Sequence, residues 1–345
     1  NCFHQHAPFS KKALLHGKHV LSETATNNTL REGVELYRTA QETGLCYMLA
    51  ENYCYTRFCQ EMKRLYENDT IGKCLYAEGE YNHPMDIRSH FRYTPGLRHW
   101  RSQIPSCYYI THALSPLMNI TNTIPREVSC SLLPSKPGDS AKGYVVLVRM
   151  DSGAVFRIFS GVAGHSCAYE LHGTRGAMES VHGHGYFGPQ TVRVWHEPWD
   201  LREGEVEDMV YLPNWPSHGD VADRTGHGGG DLFVEVKFAE AIRTGIQPEL
   251  DAYRGIMASN VGIIAWKSAH QNGAFLKVPD LKNEQDCLEM LEDNFTPFDD
   301  VEDSRLYPPE MLSRRTIAPE HKDIAREEWA KLGYTAEEIE QLFLP

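Results

Sequence analysis

The chain has 345 residues, 41% of them hydrophobic and 23% charged, which is typical of a globular protein long enough for two compact domains. No run of about 20 apolar residues occurs, so no membrane span is predicted, and the formal net charge of −13 argues against a nucleic-acid partner, because phosphate backbones bind to basic faces. Nine irregularly spaced cysteines without a CxxC pair indicate reduced thiols and a cytoplasmic protein, with any targeting segment lying upstream of Asn1.

Residues 1–72 alternate between predicted helix and strand. The second predicted helix begins after a capping box formed by Thr29 and Glu32, and it ends at Gly44. The other elements are a helix from Pro8 to Gly17, strands over 18–21 and 45–49, and a helix through Phe58, Met62 and Leu65. This order predicts the C-terminal half of a Rossmann dinucleotide-binding domain, in the α/β class, and we expect its glycine-loop half upstream of Asn1.

Residues 73–300 are predicted to form a second domain of the α+β class, with a large, mainly antiparallel sheet. Short turns such as Asp151-Ser152-Gly153 separate its strand-like runs. These runs cover residues 74–81, 144–150, 154–160, 167–171 and 191–195, and helices are predicted at 112–119, 232–244 and 250–270. One face of such a sheet suits contact with a second copy, which would make the protein a homo-oligomer. Residues 301–345 are predicted to be a charged helical tail without a chemical role.

The glycines Gly183, Gly185 and Gly188 satisfy the GxGxxG spacing of dinucleotide-binding loops. That motif carries meaning only between a strand and a helix, because the helix N-terminus faces the pyrophosphate. Here Pro189 and the strand-like run over 191–195 follow the glycines instead. We therefore interpret this motif as an ordinary loop.

The opening run NCFHQHAPFSKKALLHGKHVLSE (residues 1–23) resembles the middle of the Gfo/Idh/MocA oxidoreductases. These enzymes have a Pro-Asn, a His-Ala-Pro and a Gly-Lys-His-Val followed by Glu-Lys-Pro. The resemblance implies NAD as cofactor, without separating NAD from NADP, and it assigns Asn1, His6, Glu23 and Asn52 to the cofactor. Thr24 stands where these dehydrogenases have a lysine that hydrogen-bonds the reacting hydroxyl, which argues against ordinary dehydrogenase chemistry.

Several further segments resemble glycoside hydrolase family 109, whose NAD-dependent glycosidases also lack that lysine. They are YMLAENYCY (47–55), GEYNHPMD (79–86), YYITHALSP (108–116) and GHGGGDLFVEVKF (226–238), and they are collinear with the family over roughly residues 1–281. The chain departs from the family at Ala113 and Ser115, where the family has glycines. Trp100 and Arg101 also lie closer to Tyr109 than is usual in the family.

The resemblance implies a mechanism in which NAD is not consumed. The C3 hydroxyl of the sugar is oxidised, loss of the C2 proton expels the C1 substituent, water adds, and the C3 ketone is reduced again. The family motif implies catalytic roles for His112 at the C3 hydroxyl, and for Tyr81 and Tyr109 at the C2 proton. It assigns the remaining site residues to substrate binding, namely Glu51, His83, Arg101 and His227.

Other interpretations of these residues remain open. His112 at the start of an apolar helix is also compatible with a structural histidine, and Glu51 with an ion pair to an arginine. Histidines at 4 and 6, at 182 and 184, and over 218–227 invite a metal interpretation, but no HExxH or Cys–His cluster supports a metal site. The alternative functions are an ordinary NAD(P)-dependent sugar or cyclitol dehydrogenase and a non-catalytic dinucleotide-binding sensor. Paired proton-transfer groups argue against the sensor.

Overall fold

A computed structural model describes residues 2–83, 85–134, 143–161, 167–183, 188–312 and 316–344. Asn1 and Gly185 lie outside these residues. Among the described helices, none is long and apolar enough to cross a membrane.

The N-terminal α/β half contains three helices and a parallel pair of strands. Its elements are α1 (His6–Leu15), β1 (Val20–Ser22), α2 (Leu30–Thr43), β2 (Tyr47–Leu49) and α3 (Arg57–Glu67). β1 pairs with β2 in parallel, with Leu21 opposite Met48. The predicted capping box of α2 is present, and Gly44 ends this helix in the left-handed conformation. Parallel strands place their carboxyl ends at one edge, so the residues after Ser22 and Leu49 lie side by side.

The second half is built on a nine-stranded sheet. Its strands are β3 (Cys74–Tyr81), β4 (Pro125–Leu132), β5 (Tyr144–Met150), β6 (Val155–Ser160), β7 (Cys167–Gly173), β8 (Gly176–Ser180), β9 (Val192–His196), β10 (Asp208–Tyr211) and β11 (Leu276–Lys277). Their order is β10-β9-β8-β7-β3-β6-β5-β4-β11. All pairs are antiparallel except β3 with β6. The predicted mainly antiparallel sheet is therefore confirmed.

Helices cover one face of this sheet. They include α6 (Thr111–Thr121) and α9 (Ala252–Ala269), both with many fully buried side chains. Along β3, Gly79 faces α6 so closely that a Cβ atom there would lie 2.3 Å from the carbonyl oxygen of Ala113. The absence of a side chain at Gly79 lets the strand and the helix approach each other. On the opposite face, Glu78 pairs with Arg157.

The remaining elements surround these two halves. They are α4 (Ile87–Tyr93), α5 (Trp100–Gln103), α7 (Gly219–Ala222), α8 (Gly230–Thr244), α10 (Glu284–Leu291), β12 (Phe295–Thr296), β13 (Arg305–Leu306), α11 (Lys322–Lys331) and α12 (Ala336–Leu342). α9 packs against β4 of the large sheet and also against α2 and β2 of the N-terminal half. One long helix from the second half thus holds the two halves together.

Several element boundaries differ from those predicted. Helix α1 begins at His6 rather than at Pro8, which occupies its third position, where its missing N–H costs nothing. Among the described elements, the patterns also missed six strands: β4, β8, β10, β11, β12 and β13. These strands are short or carry charged side chains on their exposed face, so their hydrophobic alternation is weak.

Candidate functional site

The floor of the candidate site is a buried pair of side chains, Glu51 and His112. Glu51 follows β2 and is fully buried, and His112 lies in the first turn of α6 with 7% of its surface exposed. His112 Nδ1 donates to Glu51 Oε1 over 2.8 Å. The Tyr169 hydroxyl donates to the carbonyl of His112 over 2.6 Å. With Nδ1 engaged by the carboxylate, Nε2 is the ring nitrogen left for a reacting group.

Aromatic rings surround His112. The ring centroid of Tyr81, at the end of β3, lies 4.5 Å from that of His112, and the centroid of Tyr109 lies 5.3 Å away. Tyr53, which the sequence interpretation missed, lies 4.8 Å away and stands edge-on to Tyr81. Three residues predicted to be catalytic are therefore neighbours in space, although they come from a strand, a 3-10 turn and a helix.

The glycine-rich segment before α8 reaches the same place. His227 Nδ1 donates to the Asp231 carboxylate over 2.9 Å, and Asn52 Nδ2 donates to the same carboxylate over 3.0 Å. The ring of His227 lies 6.1 Å from that of Tyr53. Asp231 therefore fixes two predicted site residues at once, and its position four residues after His227 was a signal in the sequence.

Glu23 directly follows β1. Burial, followed by the charge of Glu51, raises the pKa of the Glu23 carboxyl, while His112 and His227 oppose this shift. These interactions place Glu23 near the floor residues. The next residue, Thr24, shares a hydrogen bond between its hydroxyl and that of Thr111, directly before His112. Thr24, which stands where the resembled dehydrogenases have a lysine, is thus a short neutral side chain in contact with the first residue of α6.

His6 lies in the first turn of α1, where its Nδ1 donates to the Ala25 carbonyl over 2.9 Å. Burial lowers the pKa of His6, so the ring is neutral at neutral pH. His6 packs behind the Glu23–Ala25 loop, whereas Asn1, the remaining residue assigned to the cofactor, lies outside the described residues.

His83 and Arg101 lie on the rim, and both side chains are exposed. Partial desolvation, followed by the positive charges of His112, His227 and Arg101, lowers the pKa of His83. Burial raises the pKa of the Tyr109 hydroxyl, and the neighbouring Arg101 opposes this shift by its charge and by hydrogen bonding. At neutral pH, His83 is therefore able to accept a proton, and Tyr109 keeps its own.

Among the described residues, the glycine motif does not form a dinucleotide loop, and the histidine groups do not form a metal site. Gly188 leads into strand β9 rather than into a helix, as the loop interpretation predicts. In the part of the chain that the structure describes, no three His, Cys, Asp or Glu side chains form a group able to hold a metal ion. His184 lies outside that part.

Comparison with known proteins supports the resemblance seen in the sequence. Residues 139–285 match the model of the glycosyl hydrolase 109 C-terminal domain. A glycosyl hydrolase family 109 protein of Streptomyces filamentosus is 26% identical over 306 residues, which cover 80% of this chain and 60% of the relative. A family 109 protein of Shewanella amazonensis is 26% identical over 315 residues, covering 80% and 67%. The chain thus spans about 60% of the length of the first of these relatives.

Solved structures share the fold. Levoglucosan dehydrogenase in complex with NADH and levoglucosan superposes with a TM-score of 0.66 at 20% identity, covering 81% of this chain and 79% of that one. An oxidoreductase from Agrobacterium radiobacter in complex with NAD+, L-tartaric acid and magnesium gives a TM-score of 0.61 at 15% identity, covering 80% and 78%. At these identities the likeness concerns the fold, a Rossmann domain followed by a sheet domain. The chain is therefore similar to glycosyl hydrolase family 109 proteins and has the fold of Gfo/Idh/MocA-type oxidoreductases.

Proposed function

We propose that this chain is the larger part of an NAD-dependent glycosidase that acts by transient oxidation of its sugar at C3, followed by elimination, hydration and reduction. The convergence of His112, Tyr81 and Tyr109 on one small volume above Glu51 carries the proposal. Elimination and hydration need more than one proton-transfer group beside the reacting carbons.

The residues at the strand ends fit NAD. Glu23 and Asn52 follow β1 and β2, at the edge where doubly wound sheets bind their ligands. The side-chain oxygens Glu51 Oε2 and Asn52 Oδ1 are buried and have no hydrogen-bond partner among the described residues. Polar atoms buried in this way call for a partner, which the ribose or carboxamide of a nicotinamide nucleotide would supply. When bound, NAD would take up a hydride from the sugar and return it at the end of the cycle.

The remaining steps are proton transfers by side chains of this chain. His112, oriented by Glu51, would hold the C3 hydroxyl and take up its proton at Nε2. His83, with its lowered pKa, would accept the C2 proton beside Tyr81, since their rings lie 6.2 Å apart. The retained proton of Tyr109 suits a hydrogen-bond donor to the sugar. Arg101 and His227 would bind hydroxyl groups at the rim.

The test uses the full-length protein with a panel of aryl glycosides and NAD, following aglycone release and NADH absorbance together. Release without net NADH supports the proposal. NADH accumulation without release means an ordinary dehydrogenase, and NAD binding without turnover means a sensor.

Two variants separate the roles of the histidines. His112→Ala should abolish turnover with little effect on folding, because the oxidation step then lacks its base; full activity in this variant contradicts the assignment. His83→Asn should retain exchange of the C3 hydrogen with the cofactor but lose exchange of the C2 proton with deuterated water. If the C2 proton exchanged at the wild-type rate in His83→Asn, Tyr81 rather than His83 would be the acceptor of that proton.

A further inference from the structure

The segment formed by residues 85–103, here called the rim segment, connects two residues of the candidate site. It follows His83 by one residue, and it contains Arg101 near its end. Its two helices, α4 and α5, have only 7 and 4 residues. Helices this short are not stable by themselves, so their position depends on what packs against them.

The packing partners of α4 come from the C-terminal end of the chain. Among the described residues, Phe91 and Ile87 of α4 belong to a small apolar cluster separate from the main core. The other members all lie in the tail helices, a name used here for α11, α12 and the turns beside them: Ile317, Ile324, Ala325, Trp329, Tyr334, Ile339, Leu342 and Phe343. Trp329 is fully buried, and its ring stands edge-on to Phe91 at 5.8 Å.

Polar contacts fix the same two parts together. Trp329 Nε1 donates to the Phe91 carbonyl over 3.0 Å, and the Leu97 amide donates to the Leu342 carbonyl, also over 3.0 Å. Unlike exposed ion pairs, these contacts are directional and include a buried indole N–H, so they define one position of the rim segment.

A buried carboxylate lies at the centre of this contact. Glu328 is fully buried, and it accepts hydrogen bonds from Arg88 over 2.8 Å and from Arg92 over 2.6 Å. Lys331 of the same helix adds a third bond at 2.9 Å. A buried carboxylate needs such partners, and two of them belong to α4. Detaching the tail helices would therefore expose an apolar face of α4 and leave its arginines without this partner.

We propose that the tail helices position the rim segment, and through it His83 and Arg101, so that the affinity for the sugar depends on a part of the chain beyond residue 285, where the matched family domain ends. This inference rests on the proposed function, because it assigns the rim to sugar binding. The predicted tail without a chemical role thereby becomes a positioning element.

The test compares Trp329→Ala, Trp329→Phe and Glu328→Gln with the wild-type full-length protein. Glu327→Gln is the matched control, since Glu327 also pairs with Arg88 but is half exposed, so its pair contributes little. Hydrogen exchange is measured over the rim segment and over α9. In Trp329→Ala and Glu328→Gln we expect exchange in the rim segment to accelerate about tenfold or more, with α9 unchanged. Unchanged exchange in the rim segment overturns the proposal, and Glu328→Gln decides it if Trp329→Ala does not fold.

The second measurement is the affinity of each variant for the sugar. The calorimetric Kd for an aryl glycoside should rise about tenfold in Trp329→Ala, and kcat should fall as well, because the rim carries both Arg101, which would bind the sugar, and His83, which would accept the C2 proton. At saturating glycoside, exchange of the C3 hydrogen with the cofactor should stay within about twofold of wild type, because it depends on the floor residues. Trp329→Phe should restore most of the affinity. Faster exchange with unchanged sugar affinity overturns the positioning role. A wild-type protein that binds no glycoside overturns the proposed function itself, and the proposal with it, whatever the exchange shows.

Discussion

At the scale of single residues, the contact between Glu51 and His112 organises the candidate site. The sequence assigns Glu51 to substrate binding, but the structure has its carboxylate behind His112, fully buried. A buried carboxylate that accepts from Nδ1 selects the tautomer and the orientation of the imidazole. The side chain is thus better described as one that positions His112, the proposed catalytic base, and Oε2 remains for a ligand.

Glu51→Gln should lower kcat for aglycone release about 100-fold while KM stays within a few-fold of wild type, because the amide no longer stabilises a protonated His112. Steady-state kinetics on the aryl glycoside panel measure this. Glu32→Gln is the matched control, a partly buried glutamate outside the site that should keep full activity. Equal kcat in Glu51→Gln and Glu32→Gln would contradict the assignment.

At the scale of elements, helix α2 has an unusual cap. Glu32 accepts from the backbone amides of Asn28 and Thr29, and burial raises the pKa of its carboxyl to about 7. The folded state favours the protonated form of Glu32. The contribution of this group to the free energy of unfolding is therefore complete below the ordinary pKa of 4.5 and is lost as the pH rises through about 7.

The free energy of unfolding should therefore fall by up to about 3 kcal/mol between pH 4.5 and pH 8 owing to this one group. Glu32→Gln should remove this part of the pH dependence, since glutamine also serves at the third position of a capping box. Urea unfolding of both proteins at several pH values measures the effect. Parallel pH curves for the two proteins would contradict it.

The contact between β3 and α6 gives a second prediction at this scale. In Gly79→Ala the new Cβ atom would overlap the Ala113 carbonyl, so α6 must move away from the sheet and take His112 with it. We expect a loss of about 3 kcal/mol in stability and at least a tenfold loss in kcat.

Gly153→Ala is the matched control for Gly79→Ala. Gly153 has a φ of +88° and nothing within 4 Å, so its substitution introduces backbone strain without overlap. Its stability should fall by about 1 kcal/mol and its kcat should not change. Equal kcat losses in the two variants would mean that the distance between β3 and α6 does not control the site.

At the scale of the whole molecule, the tail helices are held by charge as well as by packing. Hydrogen bonds from Arg92, Lys331 and Arg88 lower the pKa of Glu328 to about 2. Because the pKa of Glu328 is lowered in the folded state, this carboxylate stabilises the fold fully above its ordinary pKa of 4.5. Its contribution to the free energy of unfolding is lost as the pH falls toward about 2.

The tail helices should therefore detach in acid before the main core unfolds. Between pH 4.5 and pH 2, limited proteolysis with pepsin should cut near residues 316–344 first, and the near-ultraviolet signal of Trp329 should decrease. In Glu328→Gln the decrease of the near-ultraviolet signal should already be present at pH 6. Simultaneous loss of the tail and the core at every pH would argue against a separate unit.

The order of elements in the N-terminal half, the large antiparallel sheet and the family resemblance were all determined by the sequence alone. Caps, glycines and apolar periodicity are local properties, and motifs such as YMLAENY keep their spacing along the chain. Exposed or short strands such as β10 were missed, since their alternation is weak. Only the tertiary structure decided that Glu51 hydrogen-bonds His112, that Tyr53 and Asp231 contact predicted site residues, and that the tail helices pack against the rim segment. Such contacts join residues as distant in sequence as Arg88 and Glu328, which are 240 positions apart, and their pairing depends on how sheet and helices pack.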